Sequence, residues 1–202
     1  MRHFLLTLLL LLIVPSSALA LGQSSTAYPR QGLTVNTRTV RYQIQGDTVG
    51  ALSEQMGQLG TLDKRSGVRY AGSLKWAYRW RINYRFSSGK CRVKRAAIRL
   101  DLKYTLPSWW RPSSSAAPDL GGKWDRFLEA LRGHENGHGA LAIAGGRTML
   151  KKLRALSPRY SCSALNTAAK RVFARESERV STVEDAYDAR TDHGATQGAI
   201  LS

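Results

Sequence analysis

The chain of 202 residues carries 31 lysines and arginines against 14 acidic residues, which gives a formal charge of +17. Hydrophobic residues make up 43% of it, enough for a buried core, so a disordered chain is excluded. Two cysteines cannot build a cysteine-rich zinc site and allow at most one intramolecular disulfide. The length suits one domain, and the charge by itself favours an acidic partner such as nucleic acid.

The first twenty residues have the pattern of a secretory signal peptide. A basic start precedes the apolar run Phe4–Val14, and Ala18-Leu19-Ala20 supplies the small residues that signal peptidase requires. The run is about eleven residues long, too short to cross a bilayer, which takes roughly 20. We therefore predict cleavage after Ala20 and a secreted or periplasmic protein without a transmembrane segment. The alternative is an N-terminal anchor helix.

Export changes the interpretation of the charge and of the cysteines. Loss of Arg2 with the leader lowers the formal charge to +16. An oxidising compartment favours a disulfide between Cys91 and Cys162, which would destabilise the unfolded chain by roughly 4 kcal/mol through its loop. Export also removes the protein from most nucleic acid. We expect no specific nucleic-acid partner, and association with anionic envelope material instead.

Local patterns predict the first elements of the mature chain. Residues 21–34 are rich in Ser, Gly and Gln and are predicted to form a flexible lead-in to a domain spanning 35–202. Alternation of apolar and polar residues in Val40–Gln45 predicts a strand. Apolar residues at helical spacing in Val49–Leu59 predict a short helix.

A β-hairpin is the clearest predicted feature. Trp76–Phe86 alternates aromatic or aliphatic with basic or polar residues, Ser87–Lys90 forms a turn, and Cys91–Tyr104 resumes the alternation. The pattern predicts antiparallel strands with one apolar face and one basic face. A nucleic-acid platform of aromatics and arginines is less favoured, because the two residue types separate onto opposite faces.

The C-terminal half is predicted to be mainly helical. Pro107–Gly122 has the composition of a loop and carries two tryptophans. Helical periodicity then extends over Trp124–Leu153, and a second helix is predicted at Ser163–Val183. The tail Asp185–Ser202 shows no strong periodicity. The predicted fold class is α+β, with a small antiparallel sheet packed on the long helix and on the second helix.

The long helix contains the pattern H-E-x-x-H at residues 134–138. Four residues make just over one helical turn, so His134 and His138 lie on one face and can bind one ion. Glu135 is rotated away from that face, beside the ion, where it can accept a proton from a zinc-bound water. Zinc suits imidazole ligands with an open fourth position. The alternative is a pair of ordinary core or surface histidines.

A catalytic zinc site needs a third protein ligand. Of the remaining residues, His193 in the terminal segment is the favoured candidate, although a tail histidine could simply be exposed. Asp188 or Asp192 could instead fix the tautomer of a ligating imidazole. The rival ligands are carboxylates on the second helix: Glu176, Glu178 and Glu184.

These motifs together resemble the predicted secreted zinc-dependent proteases of bacteria, a family catalogued as a domain of unknown function. The resemblance rests on the signal peptide, the Trp/Tyr-rich hairpin ending in a cysteine, L-P-x-W, R-G-H-E-N-G-H-G and the terminal Y-D-A-R-T-D-H-G-A-T-Q-G. It covers roughly Val35 to Leu201. It implies a zincin-like metallopeptidase and supports His193 as a metal-site residue.

The predicted function is therefore hydrolysis of peptide bonds by an exported zinc enzyme. Zinc on His134, His138 and His193 would activate a water, with Glu135 as the general base. Tyr187 or a backbone amide of the sheet edge would stabilise the oxyanion. One alternative is a zinc amidase acting on cell-wall peptides. Another is a non-catalytic, basic binding protein with a structural metal site, in which a base at Glu135 would serve no purpose.

Overall fold

The computed structural model describes residues 32–64, 66–111 and 119–202. The predicted signal peptide and nearly all of the lead-in lie outside the described residues. In chain order the elements are β1 (Gly32–Gln45), α1 (Val49–Leu59), β2 (Thr61–Leu62), β3 (Arg69–Tyr70), β4 (Ser73–Ser87), β5 (Lys90–Trp110), α2 (Leu120–Arg154) and α3 (Cys162–Thr191), followed by a 3-10 turn at Ala195–Gln197.

The α+β class and the antiparallel hairpin are confirmed. Strands β4 and β5 pair antiparallel, with Tyr78 opposite Leu100. Strand β1 lies on the other side of β5 and runs parallel to it, in the order β1-β5-β4, so the sheet as a whole is mixed. Because β1 already begins at Gly32, residues 32–34 belong to the sheet and not to a flexible lead-in. Helix α1 has the bounds that its periodicity predicts.

The apolar face of the sheet packs against both long helices. Ile98 and Leu100 of β5 are fully buried against Met149 of α2 and Ala169 of α3. Burial of each aliphatic side chain contributes about 2 kcal/mol. Tyr78 reaches across this core and donates its hydroxyl to the carbonyl of Ala142 on α2, so its buried oxygen is satisfied. The sheet thereby sets the position of α2.

The segment predicted as a loop begins as strand. Pro107–Trp110 continues β5 and pairs with the end of β1. Trp109 is buried with Ile44 and Trp124, and its indole N–H donates to the carbonyl of Gly46 at 2.9 Å. The loop prediction for these residues was wrong because it rested on the Pro, Ser and Gly content of Pro107–Gly122, whereas packing of Trp109 in this second core keeps them extended.

Helix α3 is longer than predicted and is tied to the sheet. The predicted disulfide is confirmed: Cys91 at the start of β5 bonds Cys162 at the start of α3. The helix ends at Thr191, eight residues beyond the predicted Val183, so part of the aperiodic tail is helical. No helix in the described part of the chain is long and apolar enough to cross a membrane.

Candidate metal centre

Helix α2 places His134 and His138 on its buried face, one turn apart. The face continues the apolar stripe that passes through Leu131, and the two histidines are 3% and 9% exposed. Their Nε2 atoms are 3.3 Å apart. The helical spacing that the motif predicts therefore brings the two ring nitrogens to one point.

Asp188 of α3 meets the two histidines. Its Oδ1 lies 3.2 Å from Nε2 of His134 and 2.9 Å from Nε2 of His138. Burial opposes ionisation of this carboxyl, but hydrogen bonds from both imidazoles hold the pKa of Asp188 well below its usual range. Asp188 is therefore an anion at neutral pH. The sequence predicts for Asp188 at most a role in orienting an imidazole, because its pattern predicts no helix beyond Val183.

The Nε2 atoms of His134 and His138 and Oδ1 of Asp188 are spaced as ligand atoms around one metal ion would be. In a tetrahedral zinc site with ligands at about 2.1 Å, neighbouring ligand atoms are about 3.4 Å apart. The measured separations are 3.3 Å between the histidine nitrogens, and 3.2 and 2.9 Å from these to the carboxylate oxygen. Within the described residues, His134, His138 and Asp188 are grouped as metal ligands would be. Two imidazoles and one carboxylate are a donor set that zinc accepts.

His193 lies beside this group, at the mouth of the cleft. Its side chain is 45% exposed, and its Nδ1 is 3.7 Å from Oδ1 of Asp188. Its Nε2 is 3.3 Å from the hydroxyl of Tyr70, and the two rings are 4.5 Å apart. His193 is thus close to the site without belonging to the tight group of three. Its role as the third ligand stays a prediction.

The rival carboxylates do not join the group either. Glu176 is buried in the middle of α3, about three turns before Asp188, and forms ion pairs with Lys152 and Arg179. Glu184 lines the cleft and accepts a hydrogen bond from the indole of Trp76. Burial raises the pKa of Glu184. Glu178 is exposed and does not line the cleft.

Glu135 faces the same cleft as the three grouped residues. The cleft has a volume of about 870 Å³ and is bounded by the β2–β3 segment, the start of β4 and the end of α3. Glu135 is only 4% exposed, and burial raises its pKa to about 7, against the opposing effect of the two histidines. The backbone of Gly72 lies so close that a β-carbon there would be 2.7 Å from Oε1 of Glu135. A carboxyl with such a pKa can accept and return a proton near neutral pH.

Tyr187 lies behind the histidines and not in the cleft. Its ring stacks on His134, with centroids 5.1 Å apart and planes 11° apart. Its hydroxyl is 3.4 Å from the carbonyl of His134, and a β-carbon on Gly137 would overlap with that hydroxyl. Tyr187 is absent from the lining of the cleft. This placement supports a role in holding His134, and gives no support to the predicted oxyanion role.

The chain reverses direction directly after α3. Asp192 and His193 have φ angles of 48° and 50°, and Gly194 follows at 91°. A left-handed conformation costs a non-glycine residue roughly 1 kcal/mol. Gly194 passes so near His134 that a β-carbon would be 2.9 Å from its ring. The backbone of the terminal motif therefore returns the chain to His134, at the candidate metal centre.

The reversal of the chain places Gln197 beside His134, a contact that the sequence pattern does not predict. Nδ1–H of His134 donates to Oε1 of Gln197 at 3.0 Å, and the amide of Gln197 donates to the hydroxyl of Tyr187 at 3.1 Å. With its proton held on Nδ1, a neutral His134 presents Nε2 as a free ligand. The signal that could have found Gln197 is its place in the terminal motif.

Comparison with known proteins identifies a family. Residues 39–194 match the family described as "Bacterial protein of unknown function (DUF922)". The match includes His134, Glu135, His138 and Asp188 and stops before Gln197. No curated protein and no solved structure matches the chain significantly.

Proposed function

The chain belongs to the DUF922 family of bacterial proteins of unknown function, and we propose that it is an exported, zinc-dependent metallopeptidase. The observation that supports this most directly is the position of Glu135. It lies buried in the cleft into which His134, His138 and Asp188 also project. A protonatable group beside three convergent ligand atoms is the arrangement that metal-assisted hydrolysis requires.

Zinc held by His134, His138 and Asp188 would supply a Lewis acid and lower the pKa of water towards about 7. The protein keeps these ligands ready. Gln197 holds a proton on Nδ1 of His134 and so leaves Nε2 for the metal, and the pKa of Asp188 is held well below its usual range. The stacked ring of Tyr187 limits rotation of His134. Each contact acts before substrate arrives, so little reorganisation is needed during the reaction.

Glu135 is the proposed general base. It accepts a proton from the water that attacks the carbonyl carbon and gives that proton to the leaving nitrogen as the C–N bond breaks, so the amine leaves neutral and Glu135 returns to its carboxylate form. Burial between α2 and Gly72 excludes bulk solvent from the carboxyl and raises its pKa to about 7. The open cleft leaves room for an extended peptide between the β2–β3 segment and α3.

Two other functions remain as alternatives. A zinc amidase acting on cell-wall peptides would use the same residues on a different substrate. A non-catalytic binding protein would need the metal only for structure. A structural zinc site has four protein ligands and is closed, whereas this group of three opens into a cleft. That contrast favours an enzyme.

Metal analysis together with activity measurements tests the proposal. We expect mature protein, residues 21–202, to bind about one zinc and to cleave unfolded casein. Glu135→Gln should keep the zinc and lose roughly 100-fold or more in turnover. Glu129→Gln, on an exposed position of the same helix, is the matched control and should retain full activity. Circular dichroism of both variants verifies folding.

The outcomes separate the three functions. Cleavage of muropeptides without cleavage of casein would identify the amidase. Zinc binding with no turnover on either substrate would identify the binding protein. Protein that folds but takes up no zinc, or a fully active Glu135→Gln variant, would contradict the mechanism itself.

A further inference from the structure

The sheet has a second face, opposite to the one that packs on α2 and α3. We call its outward side chains between the row of Lys75 and the row of Arg85 the basic face. Its cationic members are Arg38, Lys75, Arg79, Arg81, Arg85, Arg92, Arg95, Arg99 and Lys103. Asp101 is its acidic member. Much of the chain's positive charge is thus collected on one side of one sheet.

Strand register places like charges directly opposite each other on the basic face. Lys103 of β5 pairs with Lys75 of β4 on one side and with Arg38 of β1 on the other. At the far end of the hairpin, Arg85 pairs with Arg92. Like charges at directly opposed positions destabilise a sheet. The arrangement is therefore unfavourable for the protein alone and becomes favourable when an anion lies across it.

Asp101 neutralises only the middle of the basic face. It pairs with Arg99 at 2.8 Å and with Arg79 at 3.2 Å, and it accepts a hydrogen bond from Asn36. In the part of the chain that the structure describes, no ion pair is formed by the cations of the two end rows. These end rows consist of Arg38, Lys75 and Lys103 at one end, and Arg85 and Arg92 at the other.

Among the residues that the structure describes, no helix covers the basic face along the hairpin. The long helices cover the opposite face, and α1 covers only the end of the sheet near Ile44 and Trp109. A shallow cavity of about 520 Å³ lies over the row of Arg38 and Lys103. From Lys75 to Arg85 the face extends for about 33 Å, at about 3.3 Å per residue.

The chemistry of the basic face distinguishes between anionic partners. The aromatic residues of β4, such as Trp76 and Tyr78, point to the buried side, so bases of a nucleic acid would find no ring to stack on. The outward positions between the end rows carry no large apolar side chain that could enter a lipid layer. Arginine and lysine bind phosphate oxygens well. Of these partners, the one that fits the basic face is a chain of closely spaced phosphates.

We propose that the basic face binds a linear polyphosphate-like polyanion that lies along the hairpin from the Lys103 row to the Arg85 row. The proposal does not depend on the proposed peptidase activity, although Lys75 at one end of the basic face also lines the cleft of the candidate metal centre. His134, His138 and Asp188 belong to helices on the other side of the sheet.

Binding of long-chain inorganic polyphosphate to the mature protein tests the proposal. We expect affinity to fall steeply between about 50 and 200 mM NaCl, as counterion release requires. Arg38→Gln/Lys103→Gln and Arg85→Gln/Arg92→Gln should each weaken binding roughly tenfold. The control Lys170→Gln/Arg171→Gln removes the same charge from an exposed part of α3 and should change affinity less than about twofold.

Each remaining outcome overturns the proposal. An equal loss in the α3 control would mean that net charge alone drives binding. A loss in one hairpin pair but not the other would mean a local anion site and not an extended one. Binding to phosphatidylglycerol vesicles without binding to polyphosphate would mean a membrane surface as the partner. Thermal unfolding of each variant without ligand verifies folding, and we expect the hairpin variants to be at least as stable as the wild type.

Discussion

His134 and Gln197 are joined by a hydrogen bond of 3.0 Å, although 63 residues separate them in sequence. The bond connects the middle of α2 to the 3-10 turn that follows α3. The bond uses Nδ1 of the imidazole, whereas Nε2 is the nitrogen that faces Asp188. The end of the chain therefore determines which nitrogen of His134 is available to a metal.

Removal of this bond should weaken metal binding. We expect Gln197→Ala to lower zinc affinity roughly 10- to 100-fold, because the imidazole loses its tautomer and its orientation. Gln197→Glu keeps an acceptor at Nδ1 and should restore most of the affinity. Competition with a chromophoric chelator measures both variants. Thr196→Val is the control, since the hydroxyl of Thr196 donates to the carbonyl of Thr191 and not to the histidines. Equal affinity of Gln197→Ala and the wild type would contradict the assignment.

Asp188 and His193 are the two candidates for the third ligand of the proposed zinc site. The structure places Asp188 within 3.2 Å of both histidines, whereas His193 is half exposed and 3.7 Å from Asp188. We expect Asp188→Asn to reduce zinc affinity at least about 100-fold and His193→Ala to reduce it much less. Asp192→Asn, at an exposed position in the same turn, is the control. A larger loss in His193→Ala would restore the ligand set predicted from the sequence.

Two glycines of α2 make a matched pair. A β-carbon on Gly137 would overlap with the hydroxyl of Tyr187, whereas one on Gly133 meets nothing within 4 Å. Gly137→Ala should therefore displace Tyr187 and destabilise the protein by about 1–3 kcal/mol. Gly133→Ala should stabilise it by up to about 1 kcal/mol through helix propensity. Urea unfolding with the disulfide intact measures both. Similar effects of the two substitutions would show that Tyr187 moves aside without lowering the free energy of unfolding.

Asp101 should make stability depend on pH. Burial would raise the pKa of Asp101, but hydrogen bonds from Arg99 and Asn36 outweigh it, and the pKa in the folded protein is lowered. The carboxylate therefore contributes stability above its unfolded pKa of about 3.9. That stability is lost as pH falls through the folded pKa. Asp101→Asn should cost about 1–2 kcal/mol at pH 7, and the difference from wild type should shrink below about pH 4.

The control for this effect is an exposed ion pair elsewhere. Asp125 pairs with Arg111 and is 64% exposed, so Asp125→Asn should change stability by less than about 0.5 kcal/mol. Urea midpoints of the three proteins between pH 3 and pH 7 provide the comparison. A pH-independent difference between wild type and Asp101→Asn would show that shape, and not charge, makes Asp101 stabilising.

Short-range sequence patterns were sufficient to predict several structural features of this protein. The alternation in Trp76–Phe86 predicts which face of the hairpin is buried, because side chains of a strand alternate by geometry. The spacing of His134 and His138 predicts that their nitrogens meet, because one helical turn brings them together. The bounds of α1 follow from its apolar positions and its cap. Each of these features depends on residues within about one turn or one strand of each other.

Only the tertiary structure decided the rest of the site. Asp188 reaches the histidines because α3 continues past Val183. The same part of α3 carries Tyr187, whose ring stacks on His134 of α2. Gln197 reaches His134 because three consecutive positive φ angles reverse the chain. The parallel pairing of β1 with β5 sets the row of Arg38, Lys103 and Lys75. Such contacts join residues tens of positions apart, so periodicity within one segment carries no information about them, and packing of the whole chain selects them.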